Sequence, residues 1–428
     1  MTLSPGPSFK PSTTEDPGTQ WQLRYWSIFV GQALSLIGSA LTQFVLLWWI
    51  TDTTGSVAAL ATAGLAALLP QALLSPLGGI LADRYSRRML MIAADAISAL
   101  CMLVLIVLFL TNKVELWHAY TMMLVRSAMQ AFQTPAAAAS TVMLVPISFL
   151  SRAAGLNQVL QSLMTIAAAP LGALAISMMP IGFALGIDVV TALLGILPLL
   201  IFRIPQIKKR SEQATSLWHE FREGVRLVWD DPGLRRLYAL LGAVVLVIMP
   251  STTLVPLLVK EHFGGGAAEA ALMEAVGGVG MLIGGIAVTA LAPRKYVSWI
   301  LWGFALACFT FALAGLMPRS SFGPALIWWV LSGIAFVIGN GPFMALLQTT
   351  VPNQLQGRVL SLLNMVMGLA APVGLLVAAP LGELIGSRWL FVAMGVVGGF
   401  VSLAGFLSPT LLRLDDQTSI RANRDREA

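Results

Sequence analysis

Twelve long apolar runs leave this chain few ways to fold. They span roughly 25–50, 57–82, 88–110, 117–146, 153–179, 181–202, 237–259, 267–291, 296–317, 323–350, 356–382 and 388–411. A helix needs about 20 apolar residues to cross a bilayer core of ~30 Å. Barrel strands alternate inward and outward over ~10 residues, which unbroken runs of this length do not do. The remaining surface is too poor in charge for water: 11% of the 428 residues are charged, against roughly 25% in a soluble domain. With 57% hydrophobic residues and a mean hydropathy of +0.81, the expected fold class is an all-α membrane protein of twelve transmembrane helices.

Only one long break interrupts the runs, at 203–236, and it leaves six on each side. That symmetry predicts two six-helix bundles joined by a linker, as in transporters built from repeats. The expected organisation is a tail at 1–24, bundles at 25–202 and 237–411, a linker at 203–236 and a second tail at 412–428. Residues 1–20 are rich in Pro, Ser, Thr and charge. No apolar signal region stands there, so the first helix is expected to remain as both anchor and span. Within the linker, Trp218, Phe221, Val225 and Val228 recur at helical spacing with Arg222, Glu223 and Arg226 between them. This predicts either an amphipathic helix on the membrane surface or a simple connecting helix.

Twelve spans put both termini on one side. That side then carries 21 of the 26 Lys and Arg residues, the other side carries four, and Arg126 falls inside a span. The positive-inside bias therefore predicts a multi-pass protein of the inner (plasma) membrane with both termini cytoplasmic. Three scattered histidines and two isolated cysteines, Cys101 and Cys308, form no metal or disulfide pattern. Neither a metal site nor a clustered catalytic constellation is expected, and the chain reads as a non-enzyme. The basic residues lie between apolar runs rather than in an aromatic-laced stripe, so nucleic acid is not an expected partner.

The segment Gly78 to Arg88, GGILADRYSRR, crowds Asp83, Arg84, Arg87 and Arg88 into the turn between helices 2 and 3. Positive-inside accounts for the arginines but not for the acid or the paired glycines, which let backbones approach closely. Gly79 to Arg88 reads G-x-L-A-D-R-x-x-R-R and resembles the signature between helices 2 and 3 of the major facilitator superfamily. It departs at Ser86, where that pattern has a second glycine. The resemblance implies that Gly79, Asp83, Arg84, Arg87 and Arg88 form a conformational latch, with Asp83 meeting the inner end of helix 11 near Arg358.

Other stretches resemble the macrolide-efflux-type branch of drug:proton antiporters. They are RSAMQAFQTPAAAASTVMLVP in helix 4, SRAAGLNQVLQSLMTIAAAPLGA in helix 5, TDTTGS after helix 1, GIDVVTALLG in helix 6 and VPNQLQGRVLSL entering helix 11. In helix 5, Ala169-Pro170-Leu171-Gly172 stands where that branch has Gly-Pro-x-x-Gly.

An ionisable group inside a span costs about 3 kcal/mol on insertion scales, so each is a functional candidate. Asp95 lies about nine residues into helix 3, or ~13 Å at 1.5 Å per residue. Arg126 lies about as deep in helix 4 from the opposite face. The two are expected to approach closely or to share a polar cluster, either as charge compensation or as proton-coupling groups. Asp188 and Glu274 sit nearer the outer surface in this reading, where each either carries a proton or reaches water. Asp52 reads as a helix-end or loop residue.

The resemblance further implies that helices 1, 4, 7 and 10 line a central cavity. Candidates on helices 1 and 4 are Gln32, Gln43, Phe44, Trp48, Met129, Phe132 and Gln133. On helices 7 and 10 they are Met249, Trp328, Phe336, Asn340, Phe343 and Gln348. Aromatics, methionines and a few amides suit large amphiphilic compounds, and the absence of a basic cluster argues against phosphates. Pro135, Pro170 and Pro342 can kink their helices and let the halves rock.

The expected function is export of hydrophobic or amphiphilic drug-like compounds by proton antiport and alternating access. The expected partners are the substrate, protons and membrane lipids. The chain is expected to be monomeric and to need no cofactor beyond a proton gradient, since it lacks a Walker A motif. The alternatives are export of one metabolite such as a siderophore or lysolipid, uptake, or a non-transporting membrane scaffold.

Overall fold

The computed structural model describes residues 20–204, 225, 226, 228–291, 293, 295–351 and 353–413, without the side chains of residues 83, 353–358, 360 and 361. Among the described residues every regular element is helical. The first six long helices are α1 (Trp21–Thr54), α2 (Val57–Arg84), α3 (Arg87–Leu110), α4 (Leu116–Leu144), α5 (Leu150–Met178) and α6 (Ile181–Ile201). The next four are α7 (Pro232–Leu258), α8 (Ala267–Leu291), α9 (Tyr296–Leu316) and α10 (Phe322–Thr350). The run Asn353–Ala404 is two rods, α11 and α12, meeting at Gly386, whose φ of 82° lies outside helical space. Glycine carries that angle at little steric cost.

Ten helical runs among the described residues are long and apolar enough to span a membrane. The last of them, Leu362–Leu407, contains the Gly386 break and supplies two rods. α4 falls outside that set because Arg126, Gln130 and Gln133 interrupt its apolar surface. With α4 included, the twelve rods match the twelve apolar runs of the sequence.

Local chemistry sets the helix ends. Ser56 caps α2 by accepting from the Ala59 amide at 3.2 Å. Asp231 accepts from the Gly233 and Leu234 amides at 2.7 and 3.1 Å, and Pro232 opens α7, where its missing N–H costs nothing. Ser86 caps α3 by accepting from the Met89 amide. The serine at the one departure from the family signature is therefore a helix cap.

α1 packs on α6 and α5, α2 on α4, and α3 on both α4 and α6, which makes one bundle. In the other bundle α9 packs on α10 and on the α11–α12 run, α7 on that same run, and α8 on α10. Two seams join the bundles: α2 against the α11–α12 run, and α5 against α8. Of the paired glycines, Gly78 is the one that makes a close approach, because a Cβ there would collide with the Ala131 carbonyl of α4. Gly79, the glycine of the expected latch, faces open space.

The two ends of the molecule differ. At the end bearing residues 52–56, one apolar core draws on both bundles, including Phe44, Val45 and Leu60 from the first and Leu254, Leu257 and Phe391 from the second. At the other end the cores are separate among the described residues. Tyr25, Met91, Leu144 and Leu199 pack in the first bundle, while Leu237, Val245, Ile300 and Leu363 pack in the second. The molecule is thus closed at one end and split at the other. Of the expected linker helix, Trp218 and Phe221 lie outside the described residues. Val228 is buried in the core of the second bundle with Val225 packed beside it, so this end of the segment is anchored to protein.

Candidate functional site

The first bundle holds a buried polar cluster built from four helices. Asp95 of α3 is 5% exposed. The Gln32 side-chain amide of α1 donates to its Oδ2 at 3.1 Å and that of Gln133 of α4 to its Oδ1 at 2.6 Å. Gln133 also donates to Gln32 Oε1 at 3.0 Å, and Gln32 to the Gly195 carbonyl of α6 at 3.3 Å. Both carboxylate oxygens are therefore held by amides, and both amide nitrogens use their two hydrogens.

Arg126 of α4 does not pair with Asp95, as the depth argument suggested it could. It shares the cluster and turns toward α1 and α6. Its Nη2 donates to the Ser39 carbonyl at 2.5 Å, and its Nη1 stands 4.0 Å from Asp188 Oδ2. Asp188 accepts from the Ser39 hydroxyl at 3.0 Å. At 2% exposure it is an interior residue that does not reach water. The physical reason is partner supply: α1 offers Gln32 to α3 and, seven residues along the same face, Ser39 to α6 and α4. Arg126 Nη1 is buried with no hydrogen-bond partner among the described residues. It borders a void of about 10 Å³ lined also by Asp95, Asp188, Ser35 and Ser98, which is room for about one water.

Beside the cluster lies a cavity of about 280 Å³ lined by Gln32, Gln133, Tyr25, Phe29, Leu36, Met91, Thr134, Asn157 and Gln161. Gln32 and Gln133 thus face the cavity and hold Asp95 behind it. The other expected cavity residues distribute differently. Met129 lines the small void. Phe44 and Trp48 belong to the apolar core of the closed end, not to this cavity. Phe343 is fully buried against Tyr238 in the second bundle, and Phe336 packs on Phe304 at 5.8 Å. These aromatic rings fill helix interfaces because that buries the most apolar contact. Gln43, Phe132, Met249 and Asn340 are partly buried. Glu274 of α8 is partly buried and stands apart from the cluster.

The latch residues divide. The side chains of Asp83 and Arg358 lie outside the described residues. Arg84 is exposed. Arg87 donates to the Ala82 and Ala139 carbonyls at 3.3 and 2.9 Å, and Arg88 donates to the Leu199 carbonyl and, at 2.7 Å, to that of Leu200. Arg88 thereby caps the C-terminus of α6, where cations are favoured.

Sequence reasoning missed a second polar set, at the closed end. Lys260 Nζ of the turn after α7 meets Asp52 Oδ1 at 2.8 Å and donates to the Asp52 carbonyl at 2.6 Å. Glu383 Oε1 of α11 accepts from the Ser56 hydroxyl at 2.7 Å and the Ala58 amide at 2.9 Å. Both contacts bridge the bundles. Their one sequence signal was charge at loop positions, which is common to solvated loops.

A twelve-rod membrane fold with two matched bundles, a bundle-spanning core at one end only and a buried charge cluster beside a cavity has the architecture of a secondary transporter. The Major Facilitator Superfamily profile matches residues 28–375, and the chain belongs to that superfamily. It is 31% identical over 379 residues to macrolide efflux protein A of Streptococcus pyogenes, covering 88% of this chain and 94% of that protein. It is also 31% identical over 309 residues to macrolide efflux protein A of Enterococcus faecalis, covering 72% of this chain and 96% of that one. Among solved structures it resembles a bacterial homologue of the human lysosomal transporter Spinster, with a TM-score of 0.69, 18% identity and coverage of 94% and 99%. It also resembles a POT family transporter in complex with 5-aminolevulinic acid, with a TM-score of 0.71, 12% identity and coverage of 90% and 96%. The protein is a multi-pass membrane transporter and not an enzyme.

Proposed function

We propose that this transporter exports hydrophobic or amphiphilic drug-like compounds from the cytoplasm by proton antiport and alternating access. The observation that carries this is the Asp95–Gln32–Gln133 network, which sets an acid one layer behind the cavity wall. Among the described residues, Asp95 and Asp188 face a single cation, Arg126. With both acids ionised the cluster holds one surplus negative charge, a costly state in the membrane interior. A proton relieves that surplus, and so does a cationic group on a substrate, so the two compete.

The 21-to-4 distribution of Lys and Arg supports assigning the split end to the cytoplasm. Substrate then loads from the split end, and the halves rock once the Lys260–Asp52 and Glu383 contacts break. Asp83 and Arg358 close the split end in the opposite state. The similarity to the streptococcal and enterococcal macrolide efflux proteins supports the substrate class. We further propose that the protein works as a monomer in the plasma membrane, with lipids as its only obligatory surroundings.

The test is uptake of labelled erythromycin into inverted proteoliposomes with an imposed pH gradient. Uptake should rise at least fivefold with an acidic lumen, and Asp95→Asn should abolish that dependence. Uptake indifferent to the gradient rules out proton antiport. For the latch, Asp83→Asn should lengthen the split-end distance in double-label spectroscopy, and unchanged distances remove it.

A further inference from the structure

The seam between α5 and α8 encloses a crevice of about 820 Å³, distinct from the cavity inside the first bundle. Near the middle of both helices they touch. A Cβ on Gly278 of α8 would stand 2.8 Å from Ile166 Cγ1 of α5. Toward the split end they part, and a Cβ on Gly285 would meet nothing within 4 Å.

The two walls differ in chemistry. On α5, Gln158, Gln161, Ser162 and Thr165 fall at i, i+3, i+4 and i+7, one continuous stripe. On α8 the wall is glycine, methionine, leucine, isoleucine and alanine, with one hydroxyl, Thr289, that donates to the Gly285 carbonyl of its own helix at 2.9 Å. Ser162 and Thr165 each donate to a carbonyl of their own helix at 3.0 Å. The amides of Gln158 and Gln161 are exposed and make no side-chain hydrogen bond among the described residues. Carboxamides without partners in a seam between membrane-spanning helices are costly. Among the described residues no charged side chain lines the crevice, so it suits hydroxyl and carbonyl groups better than phosphate or carboxylate. Gln161 also lines the inner cavity and joins the two spaces.

We propose that the α5–α8 crevice is a lateral uptake site that takes an amphiphile with uncharged hydroxyl and carbonyl groups from the bilayer leaflet and passes it along Gln161 into the inner cavity. The amides of α5 take the polar groups and the apolar wall of α8 takes the hydrocarbon. This rests on the export reading for what happens next, but binding in the crevice can be measured without transport.

The experiment introduces Ser162→Cys into a Cys101→Ala, Cys308→Ala background, both native thiols being buried. The new thiol is labelled in proteoliposomes by a membrane-soluble maleimide and by a permanently charged maleimide. The membrane-soluble reagent should react at least tenfold faster. Erythromycin, rich in hydroxyl and carbonyl groups, should slow it at least fivefold, while the anionic amphiphile taurocholate should not. Equal rates with the two reagents, or no protection by erythromycin, overturn the proposal.

A second pair of variants guards against misfolding. Gly285→Trp fills the crevice, whereas Gly186→Trp, also a helical glycine whose Cβ would meet nothing within 4 Å, lies on α6 away from it. Erythromycin uptake should fall at least tenfold in the first and less than twofold in the second, and equal uptake overturns the proposal. Protection without any uptake by the wild-type protein would sink the export reading and leave the crevice standing. Uptake without protection would do the reverse.

Discussion

The two bundles have similar helix packing and different interiors. The first gathers Asp95, Arg126, Asp188 and their amide and hydroxyl partners at its centre. The second is aromatic: Phe311 lies 5.3 Å from Trp329 and 5.2 Å from Phe391, centroid to centroid. Two of its interior hydroxyls turn to backbone carbonyls, Ser402 to Leu301 at 3.0 Å and Ser332 to Ala307 at 2.9 Å. Yet both bundles use one arginine alike. Arg88 at the start of α3 caps α6, and Arg388 at the start of α12 donates to the Gly315 and Leu316 carbonyls that end α9, at 3.2 and 3.0 Å. The helix ends share a solution that the centres do not. The charge cluster lies in the first half, while the second carries a partly buried acid of its own, Glu274 of α8.

The largest effect expected from breaking this contrast is at Arg126. Arg126→Met leaves Asp188 and Asp95 without a cation, at a cost of about 3–5 kcal/mol for an uncompensated buried charge. The variant should lose its monodisperse peak in detergent. Adding Asp188→Asn should restore at least half of the folded yield, and no recovery would disconnect the pair.

A smaller loss is expected in the aromatic half. Lipid is as apolar as a side chain, so Phe391→Ala forfeits chiefly the cavity term, about 2 kcal/mol. Its midpoint of thermal unfolding should fall by the same amount at pH 5 and pH 8. A pH-dependent fall would tie this packing to a titrating group of the same bundle, such as Glu274.

Lys260→Ala removes a partly exposed pair across the closed end, worth about 0–1 kcal/mol. Double-label distances across that end should show up to a fivefold gain in the open population, with stability unchanged. Smaller still is Ser86→Gly, which restores the glycine of the signature. It should cost a few tenths of a kcal/mol, against about 1 kcal/mol for Ser86→Ala. Equal losses in denaturant melts would remove the capping role.

Much of the fold was legible because span length and apolarity are local properties. The break at 203–236 and the turn before Arg388 both carry plain composition signals. The site was legible in part. Asp95 and Arg126 stood out because charge inside a span is rare, and Gln32 and Gln133 were candidates by helix. Their roles were not readable, since the choice of Asp188 over Asp95 as the partner of Arg126 depends on how α1 rotates between α3 and α6. The Lys260–Asp52 contact joins residues 208 positions apart, and neither has a local feature that singles it out.

The amino-acid sequence alone determined that this chain spans a membrane twelve times in two matched sets, because the bilayer demands satisfied backbone and apolar length from every crossing. Only the tertiary structure decided which buried acid meets which base, and which end of the molecule is closed. Those outcomes rest on the rotation and approach of whole helices, and many rotations satisfy the same apolar pattern.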